Sequence, residues 1–130
     1  MGRLFDAASA LIWACMVIKY EAQAAITLET MAYDFQDELD YYPYAIEKQN
    51  GVSIIKVRDI FTGIIDDWHN HVSRRIIAVK FHNTVAQMIL QVCQNIATET
   101  GINTAALSGG VFQNRLLITK AVALLESKGF

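Results

Sequence analysis

One uninterrupted helical pattern constrains this chain more than any other feature. From Ser73 to Gly101 apolar residues recur at helical spacing, with Ile76, Ile77, Phe81, Val85, Met88, Ile89, Val92, Cys93 and Ile96 on one face. Ser73 suits the start, because its hydroxyl can accept from an unpaired backbone N–H. Gly101 suits the end, where a left-handed residue closes the last turn. At 1.5 Å per residue such a helix is on the order of 40 Å long, enough to cross a whole domain. A chain of 130 residues forms about one domain. The remaining elements must therefore pack along this rod.

The same spacing predicts a helix from near Arg3 to about Val17, with Leu4, Phe5, Ala8, Leu11, Ile12 and Cys15 facing inward. A second runs from about Glu21 to Ala32, with Ala24, Ala25, Leu28 and Met31 on its inner stripe. The polar, aromatic stretch Tyr33–Pro43 reads as a loop or frayed helix end. Tyr44–Gln49 and Val52–Val57 flank Asn50-Gly51, a pair suited to the two positive φ angles of a type I′ hairpin turn. Asp59 is placed to cap a helix through Ile60, Phe61, Ile64, Ile65 and Trp68. The apolar run Asn103–Leu107 predicts an isolated strand over Thr104–Leu107, followed by the loop Ser108-Gly109-Gly110. Asn114 then opens a helix containing Leu116, Leu117, Val122, Leu124 and Leu125, and Gly129 closes it. The class is α+β and helix-dominated, with one hairpin and one isolated strand. A lone buried strand leaves its backbone groups unpaired unless another segment supplies a ladder. The pattern reads as part of a domain.

Composition narrows the function classes. With 53% hydrophobic and 18% charged residues the chain is not a disordered one. A net charge of −2 with scattered Lys and Arg argues against nucleic acid as a partner, and Arg74-Arg75 beside Lys80 is too small a cluster. No unbroken apolar stretch reaches the roughly 18 residues of a bilayer span, so no membrane is expected. Arg3, the run Ala7–Ile18 and Ala22-Gln23-Ala24 imitate a secretory signal, but Asp6 and the helical spacing favour an amphipathic helix. Cys15 and Cys93 form neither a zinc pattern nor a disulfide framework, which suits a reducing cytoplasm.

Ser108-Gly109-Gly110 with Asn114 is the candidate site. Glycines admit a ligand to the backbone, and an Asn amide both donates and accepts. The same residues also make a plain strand-to-helix turn with a capping Asn. His69 and His71, two apart, share no helical face and have no ligand set around them, so no metal is assigned. His82 beside Phe81 reads as a buried, hydrogen-bonded imidazole. Asp37-Glu38 and Asp66-Asp67 read as solvated pairs, and no nucleophile–base arrangement stands out.

Four stretches together resemble one family. Gly2–Ala7 (GRLFDA), Tyr20–Ala25 (YEAQAA), Phe81–Ala86 (FHNTVA) and Leu107–Leu117 (LSGGVFQNRLL) are similar, in order, to the C-terminal part of HypF-type carbamoyltransferases, the hydrogenase maturation factors. The resemblance implies a fragment of the second lobe of an actin-like ATPase (sugar kinase/Hsp70) fold, similar to tRNA threonylcarbamoyl transferases, with residues 1–130 forming part of that lobe. It implies ATP and carbamoyl phosphate as substrates of the parent enzyme, a carbamoyl-adenylate intermediate, and a HypE-type maturation protein carbamoylated on its C-terminal cysteine. It places Asp6 on the nucleotide ribose, Gly109, Gly110 and Asn114 against the nucleotide, and Gln23 at a nucleotide-contacting position. Ala22 departs from the family, which usually has Gly there. A divalent metal or iron in the parent would take ligands from motifs outside this segment, and zinc would sit in upstream domains. The remaining HypF domains would then be partners, the fragment alone would be inactive, and its uncovered faces would favour a homodimer. The rival is a self-contained helical interaction module in which the glycine loop is structural.

Overall fold

Helix α4, Arg74–Thr100, is the axis of the fold in a computed structural model that describes residues 1–35 and 37–130. It is preceded by α1 (Gly2–Leu11), α2 (Gln23–Ala32), a one-turn 3₁₀ helix (Tyr33–Phe35), strands β1 (Ala45–Gln49) and β2 (Val52–Lys56), and α3 (Arg58–His69). A second 3₁₀ turn, Gly110–Gln113, leads into α5 (Arg115–Ser127). Helices α2, α3 and α5 pack on α4, and α1 closes over α2 and α3. The family resemblance and the helix-dominated form agree with an actin-like lobe fragment.

Both expected caps of α4 are in place: Ser73 Oγ accepts from Arg75 N–H, and Gly101 is left-handed at φ 74°. From Ile77 to Ala86 every residue except Lys80 is buried. That middle is therefore enclosed on every side but that of Lys80, and its buried polar residues are satisfied by the protein. Beyond Leu90 the predicted inner stripe fails, with Val92 and Cys93 half-buried and Ile96 exposed, because the end of the helix projects past its neighbours. By length and composition alone α4 could cross a membrane, but 61% of its most apolar window is buried in this fold. Burial against other helices accounts for its hydropathy.

Several boundaries differ from expectation. Helix α1 ends at Leu11, not Val17, because Trp13 turns left-handed (φ 56°) and Ala14 N–H donates back to Ser9 O. Cys15 therefore lies outside the helix, and Trp13, Met16, Val17, Ile18 and Tyr20 are exposed. Helix α2 starts at Gln23 because Ala22 is left-handed at φ 63°. Asp59 does not cap α3. The cap position is Val57, with no side-chain bond, and Asp59 sits in the first turn, where its charge complements the helix dipole.

The hairpin pairs Ala45 with Lys56 through Gln49 with Val52, and Asn50 (φ 50°) and Gly51 (φ 80°) make the expected turn. Its root is pinned to α4. Tyr42 N–H donates to Thr84 Oγ1, Tyr42 Oη donates to Asp67, and Lys80 Nζ lies 4.7 Å from the tyrosine ring centre and 2.8 Å from Asp67. Asn83 Nδ2 donates to the carbonyls of Glu38 and Asp40, holding the expected loop, of which residue 36 lies outside the described residues. Residues 102–108 belong to no ladder, and β1–β2 is the sheet among the described residues. The expected isolated strand over Thr104–Leu107 is therefore not formed, because no neighbouring segment supplies a ladder for it.

Candidate functional site

Three stretches that are distant in sequence meet around one cavity of about 780 Å³. Helix α1 brings Arg3, Phe5 and Asp6. Helix α2 and the turn before it bring Glu21, Ala22, Ala25 and Glu29. The turn before α5 brings Gly110, Val111, Gln113 and Asn114. They meet because α1 and α5 both pack on α2. Of the residues singled out in the sequence, Asp6, Gly110 and Asn114 share this wall. Gln23 does not: its Oε1 accepts from Lys19 N–H at 2.7 Å and closes the turn before α2. Gly109 stands behind Gly110, left-handed at φ 98°, a conformation that favours glycine. At Gly110 a Cβ would meet nothing within 4 Å, so the absent side chain leaves open space.

Asn114 is 7% exposed and committed at both ends of its amide. Its Oδ1 accepts from Leu117 N–H at 2.8 Å, capping α5, and its Nδ2 lies 2.9 Å from His82 Nε2. His82 Nδ1 lies 2.7 Å from Ala78 O and donates to it, since a carbonyl only accepts. The imidazole is fully buried, and its ring packs edge-on to Phe5 at 5.3 Å. Burial pushes its pKa down to about 4; the Ala78 hydrogen bond opposes that shift and the charge of Lys120 adds to it. The ring is neutral at physiological pH.

Glu29 was not legible as a site residue. From α2 its Oε1 accepts from Arg115 N–H at 2.7 Å and Leu116 N–H at 3.2 Å. With Asn114 on Leu117, the first three amides of α5 are all satisfied from within the chain. No local signal marks this contact, which joins residues 86 apart in sequence. The helix start is thereby closed to a phosphate by a carboxylate. The cavity wall carries the carboxylates of Asp6, Glu21 and Glu29 against the one guanidinium of Arg3. Such a wall accepts hydrogen bonds, and it suits a hydroxyl-bearing ligand better than a bare anion.

The other candidates lie apart from it. His69 and His71 are exposed beside Trp68, whose ring stacks under Arg74 at 5.0 Å. Cys15 and Cys93 are free, and burial pushes the Cys93 thiol up. Among the described residues no group of three or more His, Cys, Asp or Glu side chains is placed to hold a metal ion.

Known proteins supply the context. The family model for the carbamoyltransferase Kae1-like domain, second subdomain, matches residues 1–130. The chain is 33% identical over 130 residues to the carbamoyltransferase HypF of Synechocystis sp., covering all of this chain and 16% of that one. It is 26% identical over 129 residues to a probable carbamoyltransferase HypF of Methanocaldococcus jannaschii, again covering 16% of the relative. A crystal structure described as full-length HypF in the phosphate- and nucleotide-bound form superposes with a TM-score of 0.94 at 38% identity, covering all of this chain and 17% of that one. The chain thus spans about a sixth of these relatives, and over its whole length it belongs to the HypF-type carbamoyltransferase family, in the second subdomain of the Kae1-like domain.

Proposed function

We propose that this chain works as part of a hydrogenase maturation carbamoyltransferase and forms the wall of its site that receives the nucleoside end of ATP. The observation that carries this reading is convergence. Three of the four sequence blocks shared with the family line one cavity, and the fourth, Phe81–Ala86, braces it from beneath through Phe81 on Phe5 and His82 on Asn114. The lining fits a nucleoside: Asp6 and Glu21 offer acceptors to ribose hydroxyls, and the space at Gly110 admits a sugar or base to the backbone. Glu29 on the α5 amides directs the phosphate chain away from that helix.

The whole enzyme takes ATP and carbamoyl phosphate, forms a carbamoyl-adenylate, and passes the carbamoyl group to the C-terminal cysteine of a HypE-type partner. The chain acts there together with the other HypF domains, in a cytoplasm whose reducing conditions suit its two free thiols. The family resemblance puts the ligands of the parent enzyme's metal in other segments, and this chain's part is to hold the nucleoside.

Gly110→Val in the full-length enzyme tests the reading. The new side chain enters open space, so folding persists, while ATP affinity measured by calorimetry falls about tenfold or more, equivalent to about 1.4 kcal/mol. His69→Ala, outside the cavity, leaves ATP affinity and carbamoylation unchanged. Normal ATP binding by the glycine variant refutes the assignment.

A further inference from the structure

Among the cavity residues, Asn114 has a side chain whose two ends are fixed by partners of opposite demand. Ala78 O can only accept, so His82 carries its proton on Nδ1 and presents a bare lone pair at Nε2. A bare Nε2 at 2.9 Å requires a proton from Asn114, which makes the facing atom Nδ2. Oδ1 is then left for Leu117 N–H at 2.8 Å. Turning the amide over would set a carbonyl against the imidazole lone pair and an NH₂ against an N–H, losing two buried bonds at once. Phe5, itself in the cavity wall, packs edge-on to the imidazole, so the ring is held between the α1 wall and the glycine turn. One N–H of Nδ2 is spent on His82. The other remains available.

We propose that His82 is a positioning residue of this cavity: acting through Asn114, it fixes that side chain as a hydrogen-bond donor toward an acceptor atom of the bound nucleotide. The inference rests on the nucleotide reading above and refines it. A ring nitrogen or an ether or hydroxyl oxygen suits the Asn114 wall, whereas a ligand donor does not.

The test compares His82→Gln and His82→Leu in the full-length enzyme, with histidine ¹⁵N labelling and ATP calorimetry. A Gln side chain places an amide near the position of Nε2 and can accept the same proton; Leu fills the volume and accepts nothing. The Nδ1-protonated tautomer is expected in the wild type. His82→Gln should keep ATP affinity within about threefold, and His82→Leu should lower it at least about tenfold in a folded protein. In an Asn114→Ala background the leucine change should cost little more, since the two act as one unit. If His82→Leu fails to fold, His82→Asn replaces it: the shorter amide reproduces Nδ1, leaves the place of Nε2 empty, and should show the same loss. Full ATP affinity without the Nε2 acceptor, or an undiminished loss in the Asn114→Ala background, overturns the proposal. A wild-type enzyme that binds no ATP overturns the nucleotide reading and this role with it, while an Nε2-protonated ring overturns the role alone.

Discussion

Ala22→Gly should stabilise the fold, against the usual effect of placing glycine beside a helix. Ala22 stands at the cap position of α2 with φ 63° and ψ 6°, and its side chain makes no capping bond. The left-handed region costs an L-residue roughly 1–2 kcal/mol, because Cβ crowds the following carbonyl. Glycine escapes that cost but surrenders about 0.4–1 kcal/mol through its greater freedom in the unfolded chain. Glycine is also a better cap residue than alanine. The balance is a gain of about 0.5–1 kcal/mol, equivalent to about 2–6 °C in Tm for a domain near this size. Ala22→Val reverses the sign, since a β-branched residue tolerates φ above zero least. Urea unfolding of the three proteins measures the difference directly. Ala22 also lines the cavity, so deleting its methyl widens the wall and leaves ATP affinity in the full-length enzyme equal or higher. A glycine variant less stable than the wild type, or a valine variant equal to it, would refute the reasoning.

Gly63→Ala should do the opposite of an ordinary helix substitution: a Cβ there would stand 2.6 Å from Tyr42 Cδ1, and Tyr42 is tied down by Asp67 at its hydroxyl and by Thr84 at its backbone N–H. The usual helix gain of about 1 kcal/mol is outweighed by overpacking of about 1–3 kcal/mol, and a raised urea midpoint would contradict this. Stability should also fall with acidification below neutrality. Burial holds His82 at about 4 against 6.5 when unfolded, so the unfolded chain takes up the proton first. The contribution is complete above pH 6.5 and lost as pH falls toward about 4, by roughly 3 kcal/mol at 1.36 kcal/mol per unit. His82→Gln should flatten that part of the profile, and an unchanged slope would exclude His82 as its source. The isolated chain should form dimers or larger species through exposed residues such as Trp13, Met16, Val17 and Ile18, and light scattering showing a clean monomer at high concentration would count against this.

Much of the scaffold was legible because its signals are local. Ser73, Gly101, Asn50-Gly51 and Asn114 each carry chemistry suited to one backbone geometry, and each adopts it. The C-terminal end of α1 and the start of α2 were not legible, because Trp13 and Ala22 are residues with no preference for the left-handed turns they make. The site divides in the same way. Asp6, Gly110 and Asn114 stood in motifs and line one cavity, while Gln23 was drawn off by its own turn. Glu29 carries no motif at all, and only the docking of α2 on α5 reveals its contact with the Arg115 and Leu116 amides. Asn114 kept two readings open, and the structure shows the capping one directly.

The near-complete enclosure of the α4 middle has a kinetic side. Amides from Ile77 to Ala86 lie inside a sleeve of other elements, so exchange with solvent there requires the surrounding helices to separate together. Gly109 and Gly110, by contrast, are exposed and rest on a single 3₁₀ turn, so they open by small local excursions. His82 and Asn114 span the two regimes, one in the slow sleeve and the other at the edge of the fast turn. The buried hydrogen bond between them therefore couples the breathing of the turn to the slow part of the molecule.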